Sequence, residues 1–223
     1  MAMRSGGAGA GQVGPSLPGV NDSKTPGAIV ADGAPAGGRK CAPGIIISTA
    51  VRDGREIIPN KDPIMTIKVG DRIPNATLNY LKDGVQAITT DEIFKGKKVV
   101  MFSVPGAFTP TCSAKHLPGY VEKFAEFKAK GVDVACLAVN DAFVMAAWAK
   151  DQHVPDGLLM LADGNGTFSK AMGLEMDGTA FGLGMRGKRF ALYADDGVVK
   201  QLNLEAPGEF KVSDAASMLA AVG

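Results

Sequence analysis

The sequence predicts an α/β domain built on a mixed central sheet flanked by helices on both faces, preceded by a disordered N-terminal extension over residues 1–64. Three observations carry that prediction. From Met65 onward, apolar runs of strand length alternate with amphipathic stretches of helical spacing. Near the C-terminus two such runs are joined by a tight turn, Asp195-Asp196-Gly197, which makes part of the sheet antiparallel. Residues 1–64 hold 12 of the 29 glycines and 7 of the 13 prolines but none of the 14 aromatic residues, too little apolar area to offset the ordering of the chain.

The extension reads as a tail without chemistry. Its single strand-like run, Ile45-Ile46-Ile47, has Pro/Gly-rich flanks, and Cys41 has no motif around it. As an organellar transit peptide it is rich in acid, with Asp22, Asp32, Asp53, Glu56 and Asp62. Translation starting at Met65 is a third reading.

In the domain, 65–223, Lys97–Val104 (KKVVMFSV) predicts a buried strand and Ser113–Lys130 a helix, with Leu117, Tyr120, Val121, Phe124 and Phe127 on its apolar side and a kink at Pro118. Val132–Val139 is a second strand, completing a βαβ unit. Asn140 or Asp141 caps a helix running to about Gln152. Leu158–Leu161 predicts a short strand and Thr167–Met172 a short helix. Arg189–Ala194 and Val198–Leu202 form the hairpin, and Ser213–Val222 closes the fold as a helix capped by Ser213.

Composition narrows the function. With 24 basic and 23 acidic residues, the net charge of +1 supplies no field for binding nucleic acid. No apolar run approaches the roughly 18–20 residues of a membrane span, and the start lacks a charged n-region followed by an apolar core, so Sec export is not expected. Three cysteines are too few to staple a secreted fold and leave at least one free thiol, which favours a reducing, cytoplasmic setting, or an organelle if the extension is a transit peptide.

The chemistry concentrates in Pro105-Gly106-Ala107-Phe108-Thr109-Pro110-Thr111-Cys112-Ser113, between a strand end and a helix start. A cysteine there meets unpaired backbone N–H groups and the positive end of the helix dipole, both of which favour thiolate. Cys112 is the candidate nucleophile. The Thr109 hydroxyl can enter the same pocket, while Pro105 and Pro110 stiffen the loop and Pro105 and Phe108 shield the sulfur from water. Three residues on either side of Cys112 stand Thr109 and Lys115, so no local C-x-x-C pair exists. His116, one turn further, could be cast as a base, but a thiolate stabilised in this way needs none. Cys112 and His116 without a second ligand pair make no metal site.

Pro105, Thr109 and Cys112 fill a P-x-x-x-T-x-x-C pattern, and the segment PGAFTPTCSAKHLPG resembles the type-II (atypical, plant-type) branch of the peroxiredoxins. The resemblance continues through 134–150, 161–166 and 182–195. It implies a thioredoxin-like fold in which a peroxidatic cysteine attacks a peroxide O–O bond and becomes a sulfenic acid. It also implies that Thr109, the backbone amides of Thr111 and Cys112, and Arg189 serve as donors around the reacting atoms, with Arg186 in support and His116 as packing. Cys136 lies where plant-type relatives have a discussed resolving cysteine, although a small buried core thiol is its plainer reading. The animal-type resolving position falls near Lys211-Val212-Ser213, where there is no cysteine.

The expected reductant is therefore external, glutathione with glutaredoxin or thioredoxin, and no metal or organic prosthetic group is expected. Peroxides are the expected substrates, and the resemblance implies a homodimer. A one-cysteine thiol–disulfide reductase and a redox-responsive binding protein are the alternatives.

Overall fold

The computed structural model describes residues 65–222 together with two short strands, β1 (Val51–Arg52) and β2 (Arg55–Glu56), which pair antiparallel. The expectations for the remainder of 1–64, including Ile45–Ile47, Cys41 and the transit peptide, fall outside the described residues.

β5 (Lys98–Val104), β6 (Val132–Ala138) and β7 (Leu159–Ala162) form a parallel centre. β10 (Phe190–Asp195) and β11 (Val198–Leu204) extend it antiparallel on the β5 side. On the β7 side the sheet is closed by a hairpin absent from the sequence prediction, β3 (Thr77–Leu81) and β4 (Val85–Thr89), giving the order β11-β10-β5-β6-β7-β3-β4. The β3–β4 hairpin escapes a hydrophobic-pattern reading because it forms an edge: Leu78 is its one buried residue. β8 (Glu175–Asp177) and β9 (Met185–Gly187) make a separate small ribbon.

The strand period of two divides the central residues between two cores. Val100, Phe102 and Val104 of β5 and Val134, Cys136 and Ala138 of β6 face one core, which is completed by α2 (Leu117–Glu122), α3 (Phe124–Ala129), α4 (Ala142–Asp151) and α6 (Ala215–Ala221). Val99, Met101, Ala135 and Leu137 face the other, under α1 (Thr90–Phe94) and α5 (Thr167–Ala171). Burial on both faces explains why β5 and β6 are almost continuously apolar.

The β10–β11 turn uses Asp196 (φ 48°) and Gly197 (φ 73°), the pair of left-handed residues that a two-residue hairpin requires.

Two expectations need correction. The helix predicted over Ser113–Lys130 is three pieces. Helical backbone begins at Pro110, and Cys112–His116 forms a wide turn in which the Leu117 N–H donates to the Cys112 carbonyl, five residues back. Pro118 has no N–H and its ring crowds the carbonyl four residues earlier, so the preceding turn opens. A second break falls at Lys123 (φ −94°, ψ 5°), where no Pro or Gly announces it. The last helix is capped by Asp214, whose carboxylate accepts from the Ser217 N–H at 3.0 Å. Ser213 is otherwise engaged: its N–H and hydroxyl both donate to Glu205 Oε1 at 2.8 Å.

Candidate active site

The site lies beyond the C-terminal ends of β5 and β6. After Val104 the chain crosses Pro105 and Gly106 and is held by Asn140, whose Oδ1 accepts from the Ala107 N–H at 3.0 Å. Phe108 takes a left-handed backbone (φ 60°), uncommon for a bulky residue and of the kind found where a site is over-determined by its surroundings. That conformation turns the ring outward, 53% exposed, with its centroid 6.5 Å from that of Trp148. Phe108 is thus part of the rim rather than a cover over the sulfur.

Cys112 is fully buried in the first helical turn. Its Sγ accepts from Arg189 Nη2 at 3.4 Å, so the predicted arginine reaches the predicted cysteine across 77 residues of sequence. The Thr109 hydroxyl donates to the Gly106 carbonyl at 2.9 Å. With its hydrogen committed there, its oxygen is left as an acceptor for an incoming O–H, in place of the donor role that the resemblance implies for Thr109. The helix start is pinned by the Ser113 N–H donating to the Thr109 carbonyl (3.0 Å) and by Trp148 Nε1 donating to Ser113 Oγ (2.9 Å). Pro105, Thr109 and Thr111 are half-buried beside the sulfur-bearing turn.

Arg186 has a different task from Arg189. Its Nε donates to the Leu183 carbonyl at 2.7 Å and its Nη1 to the Val139 carbonyl at 2.9 Å, tying the β9 approach to the β6–α4 connection. It organises the wall of the site.

Cys136 projects from mid-β6, paired on both sides by β5 and β7, into the same core as Cys112. Burial first, and the nearby Cys112 second, push its thiol well above the ordinary range.

Several contacts behind the site were not legible in the sequence. His116 is buried in a cage of Phe102, Tyr120 and Phe210, with ring centroids 5.0, 5.7 and 4.9 Å away. Its Nδ1 lies 3.0 Å from Arg189 Nη1 and its Nε2 3.0 Å from the Ser213 carbonyl. The same carbonyl accepts from the Tyr120 hydroxyl at 2.9 Å. Glu205 Oε1 gathers the N–H groups of Lys211, Val212 and Ser213, each at 2.8 Å. Burial works against this carboxylate, but the backbone donors outweigh it and hold the carboxyl below its usual range. The roles of Glu205, Ser213 and Phe210 depend on a turn between β11 and α6, and no local spacing encodes that. Asn140 carried a helix-cap signal alone.

Among the described residues no group of three or more His, Cys, Asp or Glu is placed to hold a metal, and no helix is long and apolar enough to cross a membrane. Chemically the site offers one sulfur with a cationic donor fixed against it and, three residues earlier in the chain, a hydroxyl oxygen free to accept.

Residues 68–219 match the Redoxin family model. The chain is 51% identical over 163 residues to "Peroxiredoxin-2E, chloroplastic" of Arabidopsis thaliana, covering 70% of each protein. It is 53% identical over 166 residues to "Peroxiredoxin-2E-2, chloroplastic" of Oryza sativa subsp. japonica, covering 71% of this chain and 74% of that one. The crystal structure of reduced Prx3 from Vibrio vulnificus in complex with hydrogen peroxide is 52% identical, covers 71% of this chain and 100% of its own, and superposes with a TM-score of 0.68. Matched over residues 68–219, with Arg189 donating to the buried Cys112 sulfur that follows Pro105 and Thr109 in the sequence, the chain belongs to the type-II peroxiredoxins, thiol-dependent peroxidases of thioredoxin-like fold.

Proposed function

We infer that this peroxidase reduces hydrogen peroxide and small organic hydroperoxides at Cys112 and is returned to its thiol form by an external thiol. The observation that carries the reading is the 3.4 Å contact from Arg189 Nη2 to Cys112 Sγ. The Cys112 thiolate attacks one peroxide oxygen, the O–O bond breaks, and the distal oxygen leaves as hydroxide or alkoxide that takes up a proton. Arg189, fixed before reaction, stabilises the negative charge as it passes from sulfur to the leaving oxygen, and the Thr109 oxygen orients the incoming hydroperoxide. The Vibrio relative's complex with hydrogen peroxide supports peroxide as the substrate.

A thiol then attacks the sulfenic acid, expelling water and forming a mixed disulfide, and a second thiol releases Cys112 and a disulfide. The cycle calls on no metal or prosthetic group. Cys136 is a poor internal partner, since it would have to leave a strand paired on both sides and its burial keeps the thiol protonated. Glutathione with glutaredoxin is therefore the favoured reductant over a thioredoxin cycle through an internal disulfide. NADPH-coupled assays offering hydrogen peroxide or a low-molecular-weight disulfide, with each reductant in turn, test the reading. Multiple turnovers on peroxide support it; consumption of disulfide alone fits the reductase alternative, and a stoichiometric reaction without turnover fits the binding-protein alternative.

A homodimer is favoured by the rim of the site. Phe108, Phe143, Phe181 and Met185 are 53%, 66%, 80% and 51% exposed. The Asn140–Ala107 and Arg186–Val139 hydrogen bonds bring the segments that carry them together, and such an apolar patch suits a self-complementary interface. The chloroplast named for both plant relatives favours an organelle as the location; a fluorescent protein fused behind residues 1–64 and staying cytosolic in plastid-bearing cells contradicts it.

A further inference from the structure

The guanidinium of Arg189 sits at the end of a long flexible side chain, and its usefulness depends on where it points. Two hydrogen bonds aim it, Nη2 to Cys112 Sγ at 3.4 Å and Nη1 to His116 Nδ1 at 3.0 Å. A carboxylate is the common partner of an arginine in such a place, and it orients the guanidinium while cancelling much of its charge. Among the described residues Arg189 forms no ion pair.

The protonation of His116 follows from its neighbours. The Ser213 carbonyl can only accept, so the 3.0 Å contact places a hydrogen on Nε2. Arg189 can only donate, so Nδ1 presents its lone pair. Both ring nitrogens are therefore engaged, and neither is free to take a proton from Cys112. Burial, and then the Arg189 charge, lower the His116 pKa to about 3, which keeps the ring neutral at ordinary working pH.

We propose that His116 is a positioning residue that aims Arg189 at Cys112 through a neutral nitrogen acceptor, leaving the guanidinium its whole charge for the sulfur and the departing oxygen. The proposal rests on the peroxidase reading above and adds to it. The C-terminal segment holds the device in place. Glu205 fixes the backbone of Lys211, Val212 and Ser213, the Ser213 carbonyl fixes the imidazole, and Phe210 packs on the imidazole at 4.9 Å and lies 5.8 Å from the guanidinium carbon. A hydrogen-bonded line thus runs from Glu205 through Ser213, His116 and Arg189 to the reacting sulfur. Tyr120, with its hydroxyl on the same carbonyl, is a second anchor.

The test uses three substitutions in the full chain, with the second-order rate of sulfenic acid formation by hydrogen peroxide measured by stopped flow and thermal melting measured in parallel. His116→Leu keeps bulk but offers no acceptor, and its rate falls roughly tenfold to a hundredfold. His116→Gln can accept from Arg189 with its amide oxygen and donate to Ser213 with its amide nitrogen, and recovers most of that loss. His116→Glu can orient the guanidinium but neutralises it, and stays slower than His116→Gln. A Leu variant as fast as the wild type overturns the proposal, and so does a folded Gln variant as slow as Leu.

Nitrogen-15 NMR of the imidazole in the unaltered protein gives a readout independent of whether any variant folds. The neutral Nε2–H tautomer, present throughout roughly pH 5–8, is expected; an Nδ1–H tautomer or an imidazolium overturns the proposal. A wild-type protein inert toward peroxide defeats the peroxidase reading itself, whereas a reactive wild type matched by the Leu variant removes only the role of His116.

Discussion

Cys112 and Cys136 share one face of the sheet and one core but differ in what surrounds the sulfur: a guanidinium nitrogen at 3.4 Å for Cys112, the interior of a doubly paired strand for Cys136. Cys112→Ser is therefore expected to abolish peroxide-dependent oxidation of glutathione, and Cys136→Ala to leave it near the wild-type rate, both measured in the glutaredoxin-coupled assay. Loss of turnover in Cys136→Ala while the protein still melts cooperatively would show that the strand thiol takes part in the cycle. Thr109→Val keeps the shape but removes the oxygen proposed to receive the substrate hydroxyl, and a fall in kcat/KM of about 10²–10³ is expected. Arg189→Lys keeps the charge yet lacks the fork that reaches His116 and Cys112 together, so it should recover little of the activity lost in Arg189→Ala. The motif in 105–112 made the cysteine, the threonine and the loop legible. Arg189 needed the resemblance, because its partner lies 77 residues away. Glu205 and Phe210 were illegible because their roles depend on which backbone amides and rings a distant turn delivers.

At the scale of elements, the central strands and the hairpin turn were readable because burial on two faces and an Asp-Gly pair leave strong local signals. The half-exposed β3–β4 edge leaves a weak one. The wide turn at Cys112–His116 was readable in part, as a disturbance caused by Pro118, but its place before the proline depends on the Leu117 N–H reaching the Cys112 carbonyl. That hydrogen bond joins the geometry of the reactive turn to the helix behind it. Pro118→Ala restores the missing N–H and lets the turn close toward regular α geometry, which shifts Cys112 relative to Arg189. The expected outcome is a slower reaction with peroxide without loss of thermal stability. A variant as fast as the wild type would show that the proline-opened turn is incidental to reactivity. The last helix illustrates a different limit: Ser213 and Asp214 are both competent caps, and the choice falls to Asp214 because Glu205 already holds the Ser213 hydroxyl.

For the whole molecule, a neutral His116 buried against an arginine makes stability sensitive to acid. In the unfolded chain its imidazole takes up a proton near pH 6.5, whereas the folded protein resists protonation down to about 3. Between those values the unfolded state binds more protons, so the contribution is complete above about 6.5 and is lost progressively as pH falls toward 3, amounting to at most ~5 kcal/mol. The Glu205 carboxyl, held below its usual range, loses its contribution in the same direction but at lower pH. Urea unfolding at a series of pH values should show stability declining below about pH 6.5, with the slope between about 6.5 and 5 absent in His116→Gln. At the same scale, Phe143→Asp is expected to convert the proposed dimer to monomer in sedimentation experiments, because it would set a charge on each side of a self-complementary apolar interface. An unchanged sedimentation coefficient would place the dimer contact elsewhere or show the wild type to be monomeric.

The central claim is that Cys112 is the sulfur that meets peroxide. Exposing the reduced full-length protein to equimolar hydrogen peroxide in the presence of dimedone, followed by peptide mass spectrometry, identifies the sulfur oxidised to sulfenic acid. The account predicts one adduct, on the peptide containing Cys112, replaced by a glutathione mixed disulfide at the same residue when glutathione is supplied instead of dimedone. An adduct confined to Cys136 or Cys41, with Cys112 unmodified and still reduced, would contradict it.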